Sequence, residues 1–139
     1  MYKAYKFRLY PNDEQKILIN KTFGITRYTY NYYLDKMINN GYVKPYANVF
    51  DYEHNLKYEA TFLQEIDKTI IKKSLFNLDN AYQKMFNKQG GYPKFKSKYE
   101  KNSYNTVAVY SKYKDKEYCN IELNLQTRQI KLPNLNWLK

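Results

Sequence analysis

Residues 68–98, KTIIKKSLFNLDNAYQKMFNKQGGYPKFKSK, constrain the fold more than any other stretch of this chain. At about 100° per residue, Ile71, Leu75, Leu78, Tyr82, Met85 and Phe86 fall on one helical face, the pattern of a helix laid against a core. The opposite face carries Lys73, Asn77, Asn80, Lys84 and Asn87, together with Phe76, an aromatic that an amphipathic helix does not need. Gly90 and Gly91 end the helix and Pro93 prevents its restart. Tyr92, Phe95 and Tyr99 then interleave with Lys94, Lys96 and Lys98 in an extended segment.

A chain of 139 residues forms one domain, or a domain with an inserted lobe, and buries a core without disulfides. Its net charge of +11 points to a polyanionic partner, most commonly nucleic acid. The excess is uneven: residues 1–70 hold 10 Lys and Arg against 8 Asp and Glu, whereas residues 71–139 hold 14 against 5. The lysines between 84 and 101 face only Glu100, and on charge alone they read equally as a solvated face or a phosphate-tracking strip. The 18 tyrosines are weak support for base stacking, because an AT-rich genome gives the same bias. Cys119 is the only cysteine, which excludes a disulfide framework and a zinc ribbon within these residues and fits a reducing compartment. No apolar run approaches the roughly 18 residues of a membrane span and no secretory leader is visible, so the expected location is cytoplasmic, away from membranes.

Residues 2–10 alternate, with Tyr5, Phe7 and Leu9 on one side and Lys6, Arg8 and Tyr10 on the other, which predicts a half-buried strand with a basic, aromatic outer face. Pro11 ends it, and Asn12 caps a helix with Gln15 as its capping-box partner and Ile17, Leu18 and Phe23 buried. Gly24 is expected to close that helix and a second to run from Ile25 to about residue 39, where Asn40 and Gly41 stop it, making a helical hairpin. Arg27 and Asn31 are i, i+4 neighbours on the second helix. They could touch phosphate and base, or Arg27 could bind helix-end carbonyls. Residues 41–60 read as a loop or weak helix containing Pro45 and the only histidine, His54, a surface residue. Phe62, Leu63 and Ile66 form a short apolar turn before residue 68. Beyond residue 100, Val107 and Val109, then Ile121, Leu123 and Leu125, then residues 128–132 give a meander of short strands with turns at 112–116 and 126–127. The class is α+β: a lone first strand must pair with the C-terminal ones, leaving the helices as an insertion in a small β-barrel or open sheet.

The 13 carboxylates are scattered, and none of their pairings suggests the clustered acidic ligands that two-metal phosphoryl chemistry needs. No phosphate-binding glycine loop is present. No cofactor, metal or catalytic residue is therefore expected, and the chain reads as non-catalytic.

The segments KFRLYP (6–11), NKTFG with RYTYN (20–31), KSLFNLDNAYQKMF (73–86), GYPKFKSK (91–98), NSY (102–104) and IKLPNLNWLK (130–139), in this order and spacing, closely resemble the N-terminal region of the TnpB, or OrfB, insertion-sequence proteins. These are relatives of the type V CRISPR nucleases, and the region has long carried a transposase helix-turn-helix label. The resemblance implies an OB-like antiparallel β-barrel, the wedge, from residues 1–11 and 92–139, split by a helical recognition lobe at 12–91. It also implies RNA-guided DNA endonuclease activity in full-length proteins, with this region gripping the guide-RNA scaffold and reading a short transposon-adjacent motif in duplex DNA while base pairing reads the target. By position, Lys68, Thr69 and Lys72 resemble the residues that face that motif, with Tyr46 joining them. The usual lysine and glycine of the ending are Asn134 and Asn136 here, and arginines near the GYP and SY segments are largely lysines, which weakens bidentate readout. The acidic nuclease site and zinc ribbon of the family would follow residue 139.

Two readings follow. In the first the chain is a nucleic-acid-binding module in which Lys6, Arg8, Lys94, Lys96 and Lys98 contact phosphates and Phe76, Tyr104 or Tyr10 stacks on bases. In the second it is a remnant that acts as a protein-interaction module or DNA-binding regulator, docking on a full-length homologue or the nuclease portion, with Phe76 as an interface anchor.

Overall fold

The computed structural model describes residues 1–42 and 66–139. Among the described residues two helices, α1 (Asp13–Asn40) and α2 (Lys68–Phe86), precede five short strands, β1 (Tyr110–Tyr113), β2 (Lys116–Cys119), β3 (Glu122–Asn124), β4 (Gln129–Leu132) and β5 (Asn136–Leu138). The chain divides into two compact units, one of Met1–Ile19 with Ala108–Lys139 and one of Asn20–Val107. The fold is α+β, as expected. The expectations for Pro45, Tyr46, His54, Phe62 and Leu63 lie outside the described residues.

In the helical unit, Ile25, Tyr30, Tyr33, Leu34 and Met37 of α1 form one buried cluster with Ile66 and with Ile70, Ile71, Leu75, Leu78 and Tyr82 of α2. Leu34, Ile71 and Leu78 are fully buried, and each such burial stabilises by about 1.5–3 kcal/mol. The α2 stripe therefore packs as its period requires, except at its end, where Phe86 is 50% exposed and its ring meets Tyr42 and Tyr82 at the rim.

Gly24 does not divide the first helix. The left-handed conformation that makes glycine a helix stop occurs at Gly41, at φ +86°, and not at Gly24, which continues the α-helical path with open space around it. Tertiary packing overrides the local signal. Thr26 and Thr29 donate their hydroxyls to the carbonyls of Thr22 and Ile25 at 2.7 and 2.9 Å, and Ser74 of α2 donates to the Thr26 carbonyl at 2.9 Å. The buried polar groups are thus satisfied across the very residues where a turn was expected.

The ends of α2 are specified locally. Asp67 caps the first turn by accepting from the Thr69 amide at 3.1 Å, and its other oxygen accepts from the Thr106 hydroxyl at 3.3 Å. At the far end Lys88, at φ 59°, takes the left-handed position; its amide reaches the Met85 carbonyl at 3.0 Å and the Gln89 amide reaches Lys84 at 2.8 Å. This is a Schellman closure completed before the glycine pair that was expected to end the helix.

In the β unit, β1 and β2 form a hairpin whose two turn residues, Lys114 and Asp115, have φ 47° and 63°, as a two-residue turn between twisted strands requires. β3, β4 and β5 form a separate antiparallel sheet in that order. β5 begins past Pro133, where the sequence indicated no strand. Asn134 and Asn136 both adopt left-handed backbone, at φ 63° and 57°, a conformation asparagine tolerates. The expected capping box is present: the Asn12 amide donates to Gln15 Oε1 at 2.9 Å and the Gln15 amide to Asn12 Oδ1 at 2.8 Å. Gln15 Nε2 also donates to the carbonyls of Leu135 and Trp137, tying the start of α1 to the β4–β5 turn. That tie buries Leu135 and half-buries Leu18 while leaving Ile17 62% exposed, contrary to expectation.

The first nine residues alternate but form no strand, and the described strands do not close into a barrel. Alternation supplies a face, yet a strand also needs a ladder. The Tyr10 amide donates to the Lys139 carbonyl at 2.7 Å as a single link, and Tyr5 and Phe7 stay exposed, their rings stacked 6.3 Å apart. Val107 and Val109 likewise precede β1 in irregular backbone.

Candidate nucleic-acid interface

An extended segment carrying Lys94, Lys96 and Lys98 has no sheet to pair with, so its backbone groups must be satisfied otherwise. Asn31 does this. Its side-chain amide donates to the Lys96 carbonyl at 2.9 Å, and its carbonyl oxygen accepts from the Lys96 amide at 2.8 Å, so one side chain imitates a neighbouring strand. Lys96 is held half-buried with Nζ 4.5 Å from the centre of the Tyr30 ring, within cation–π range.

Just beyond the clamp the chain turns. The Glu100 amide reaches the Ser97 carbonyl at 3.2 Å and the Tyr99 amide reaches Ser97 Oγ at 3.3 Å. The turn brings residues 96–103 back over Phe23, Thr26 and Arg27 and leaves a notch of about 70 Å³. Tyr104 closes the segment by packing on Phe23 at 5.6 Å. On the adjoining side of α1 a shallow concavity is lined by Gly24, Arg27, Tyr28, Asn31 and Tyr32. Tyr28 and Tyr32 stack 6.1 Å apart, and Lys36 Nζ lies 4.7 Å from the Tyr32 ring centre.

A second basic surface lies on α2. Lys68, Lys72 and Phe76 follow one another at i, i+4 spacing and are all exposed, so they form one row. Lys73 Nζ sits 5.2 Å from the Phe76 ring centre, which gives the unexplained aromatic a cationic neighbour outside the core. Thr69 is half-buried, its amide engaged by the Asp67 cap.

Of the residues expected to bind nucleic acid, the structure gathers Arg27 and Lys96 at the notch, with Asn31 clamped to the Lys96 backbone beside it and Lys98 two residues on, its Nζ 5.0 Å from the Tyr99 ring. It aligns Lys68, Lys72 and Phe76 and leaves Lys94 exposed. Tyr104 is half-buried on Phe23, and Asn31 has its amide committed to backbone. Lys6, Arg8 and Tyr10 belong to the β unit, where Arg8 Cζ lies 5.5 Å from the Tyr10 ring. Residues 7–10 there flank a groove of about 600 Å³ with Leu123, Leu125 and Ile130. Tyr46 lies outside the described residues. Sequence reasoning put Lys101 in the basic run but not beside Arg27, and it missed Ser97 and Ser103, since the approach of all three to Arg27 depends on the turn. It also missed Tyr28, Tyr32 and Lys36, whose i, i+4, i+8 spacing was there to be read.

Burial raises the phenols of Tyr30, Tyr82 and Tyr104 above the ordinary tyrosine value, with neighbouring Tyr82 adding for Tyr30 and Tyr92 for Tyr82. Among the described residues no three His, Cys, Asp or Glu side chains gather to hold a metal ion, and no helix is long and apolar enough to cross a membrane.

An alternating basic N-terminus, a long helix and a lysine strip pinned to it define a basic helical module joined to short antiparallel sheets. Residues 1–41 match the helix-turn-helix domain of IS605-type OrfB proteins. In this chain those residues form a segment without helix or strand followed by one uninterrupted helix. Similar proteins include one from Streptomyces pristinaespiralis, 30% identical over 104 residues covering 69% of this chain and 25% of the relative. InsQ of Escherichia coli K12 is 24% identical over 144 residues, 99% of this chain and 33% of the relative. Both carry the name "Putative RNA-guided DNA endonuclease". The chain belongs to the TnpB (OrfB) family and corresponds to its N-terminal region. It spans about a quarter to a third of the length of the curated relatives it matches.

Proposed function

We propose that this chain is the nucleic-acid-gripping part of a TnpB-type system, holding a guide-RNA scaffold and reading a short transposon-adjacent motif in duplex DNA, with no cleavage centre of its own. The observation that carries the reading is the clustering of Arg27, Lys96 and Lys101 around a pinned turn in which Glu100 is the only carboxylate. Lys68, Thr69 and Lys72, with Tyr46, face the duplex motif; Lys6, Arg8, Lys94, Lys96 and Lys98 track phosphates; Phe76 and Tyr10 stack on bases, and Tyr104 supports the phosphate-tracking segment. In this reading residues 1–11 and 92–139 make the wedge, completed as an OB-like barrel in the assembled protein, and residues 12–91 the recognition lobe.

The test is a salt titration of RNA binding. Several phosphate contacts make log affinity fall steeply with log salt, by about 0.7 per contact on a single strand. A flat response would sink the reading.

A second reading, a protein-interaction module or DNA-binding regulator, draws on the exposed apolar side chains of Phe7, Leu123 and Leu125 in the β unit. It predicts salt-tolerant self-association or capture of a full-length homologue, visible by light scattering, in place of RNA binding.

A further inference from the structure

We propose that the notch beside Arg27 seats one backbone phosphate of an unpaired nucleic-acid strand, with the adjoining base against the Tyr28 and Tyr32 side of α1. The proposal rests on the nucleic-acid reading above and assigns it a specific subsite.

Arg27 is half-buried and makes no hydrogen bond or ion pair with any described residue. The structural role open to it, binding helix-end carbonyls, has no carbonyls to serve, because α1 runs unbroken through Gly24 and the Thr22 and Ile25 carbonyls also accept threonine hydroxyls. A guanidinium placed on protein without a partner keeps a rigid fork of donors, the geometry that recognises an oxyanion through two parallel bonds.

The rest of the notch suits the same ligand. Its volume, about 70 Å³, is several times the roughly 10–15 Å³ that one water needs, so it admits a group of phosphate size. Ser97 Oγ accepts from the Tyr99 amide and so retains its own proton to donate, and Ser103 and Lys101 add donors. Arg27, Lys96 and Lys101 outweigh Glu100, which makes no ion pair with Arg27.

The shallow concavity across Arg27 indicates that the strand is unpaired. It presents Tyr28, 40% exposed, beside the Tyr32 ring. A base reaches an aromatic face only when it is not already stacked in a duplex. One arginine bordering both a phosphate-sized notch and a ring platform spans about one nucleotide.

The experiment measures binding of fluorescein-labelled oligouridine and of a blunt RNA duplex across a salt series for the whole chain and for Arg27→Gln, Arg27→Lys and Glu100→Gln. Arg27→Gln is expected to weaken oligouridine binding about tenfold and to make the salt slope shallower by about 0.7, with a smaller loss on the duplex. Arg27→Lys restores the slope but not the full affinity. Glu100→Gln, an exposed change that cannot unfold the chain, strengthens binding severalfold. If the unmodified chain shows a steep slope while Arg27→Gln keeps it, or Glu100→Gln leaves affinity unchanged, the notch is not a phosphate subsite although the chain binds nucleic acid. If the unmodified chain shows no salt dependence, the nucleic-acid reading itself fails. A loss equal on duplex and single strand overturns the assignment to an unpaired strand.

Discussion

Asn31 and Lys96 lie 65 residues apart in sequence, and the Asn31 side chain satisfies both backbone groups of Lys96, at 2.9 and 2.8 Å. This contact decides where the lysine strip runs on α1, and through the turn after it decides what stands beside Arg27. Asn31→Ala removes both partners from a half-buried amide and carbonyl. It is expected to destabilise the helical unit by about 1–3 kcal/mol and to weaken RNA binding together with stability. Urea unfolding and fluorescence anisotropy on the same variant check this; unchanged values in both would mean that the strip is held by something else.

The closure of α2 gives a prediction of opposite sign. Lys88 takes a left-handed conformation at φ 59° in a position that favours glycine. Lys88→Gly is expected to stabilise the chain by roughly 0.5–1 kcal/mol, after the larger unfolded-state entropy of glycine is allowed for. A matching rise in the urea midpoint at constant slope is the sign of success, and a fall would show that the Lys88 side chain contributes more than its backbone strain removes.

The contrast between Lys88 and its neighbours explains what could be read in the sequence. The α2 stripe, the Asn12 and Gln15 capping box, the Gly41 stop and the tight turns are governed by residues within a few positions of each other, and they appear where the pattern puts them. Gly24 and the glycines at 90 and 91 are equally local signals that misled, because glycine permits a helix end without requiring one. At Gly24 the hydroxyls of Thr26, Thr29 and Ser74 settle the matter through packing with a helix nearly fifty residues on, as the separation of 48 between Ser74 and Thr26 records. The first strand failed for a related reason: alternation identifies a face but not the ladder partner that makes a strand. Arg27 and Asn31 were identifiable as a pair on one helix face, whereas the notch was not, since hydrophobic periodicity carries no information about which loop folds back on that face.

Tyr30, Tyr82 and Tyr104 should limit stability at high pH. Their phenols titrate above the ordinary value because burial disfavours the charged form. In the unfolded chain they release protons near pH 10, while the native chain retains them. Above that pH the native state binds more protons than the unfolded one, so unfolding free energy falls as pH rises; below it the contribution is fully present. Urea unfolding between about pH 8 and pH 11 should show this decline. Tyr104→Phe should make it shallower without changing the behaviour at neutral pH, and an identical slope for the variant would mean that Tyr104 does not contribute to the decline.

Phe76 separates the two functional readings most directly. It continues the row of Lys68 and Lys72, is 40% exposed and has Lys73 Nζ 5.2 Å from its ring. Truncating the fully buried Leu78 to alanine should cost about 2–5 kcal/mol. Phe76→Ala should cost well under that, because much of its ring is already in water. If the ring stacks on a base, the same change should remove about 1–3 kcal/mol of binding, or roughly 5- to 150-fold in affinity. Loss of RNA binding with stability nearly unchanged supports the nucleic-acid reading. Retained RNA binding with loss of self-association or of capture by a full-length homologue supports the protein-interaction module. Destabilisation as large as that of Leu78→Ala would instead make Phe76 part of the core and remove it from both readings.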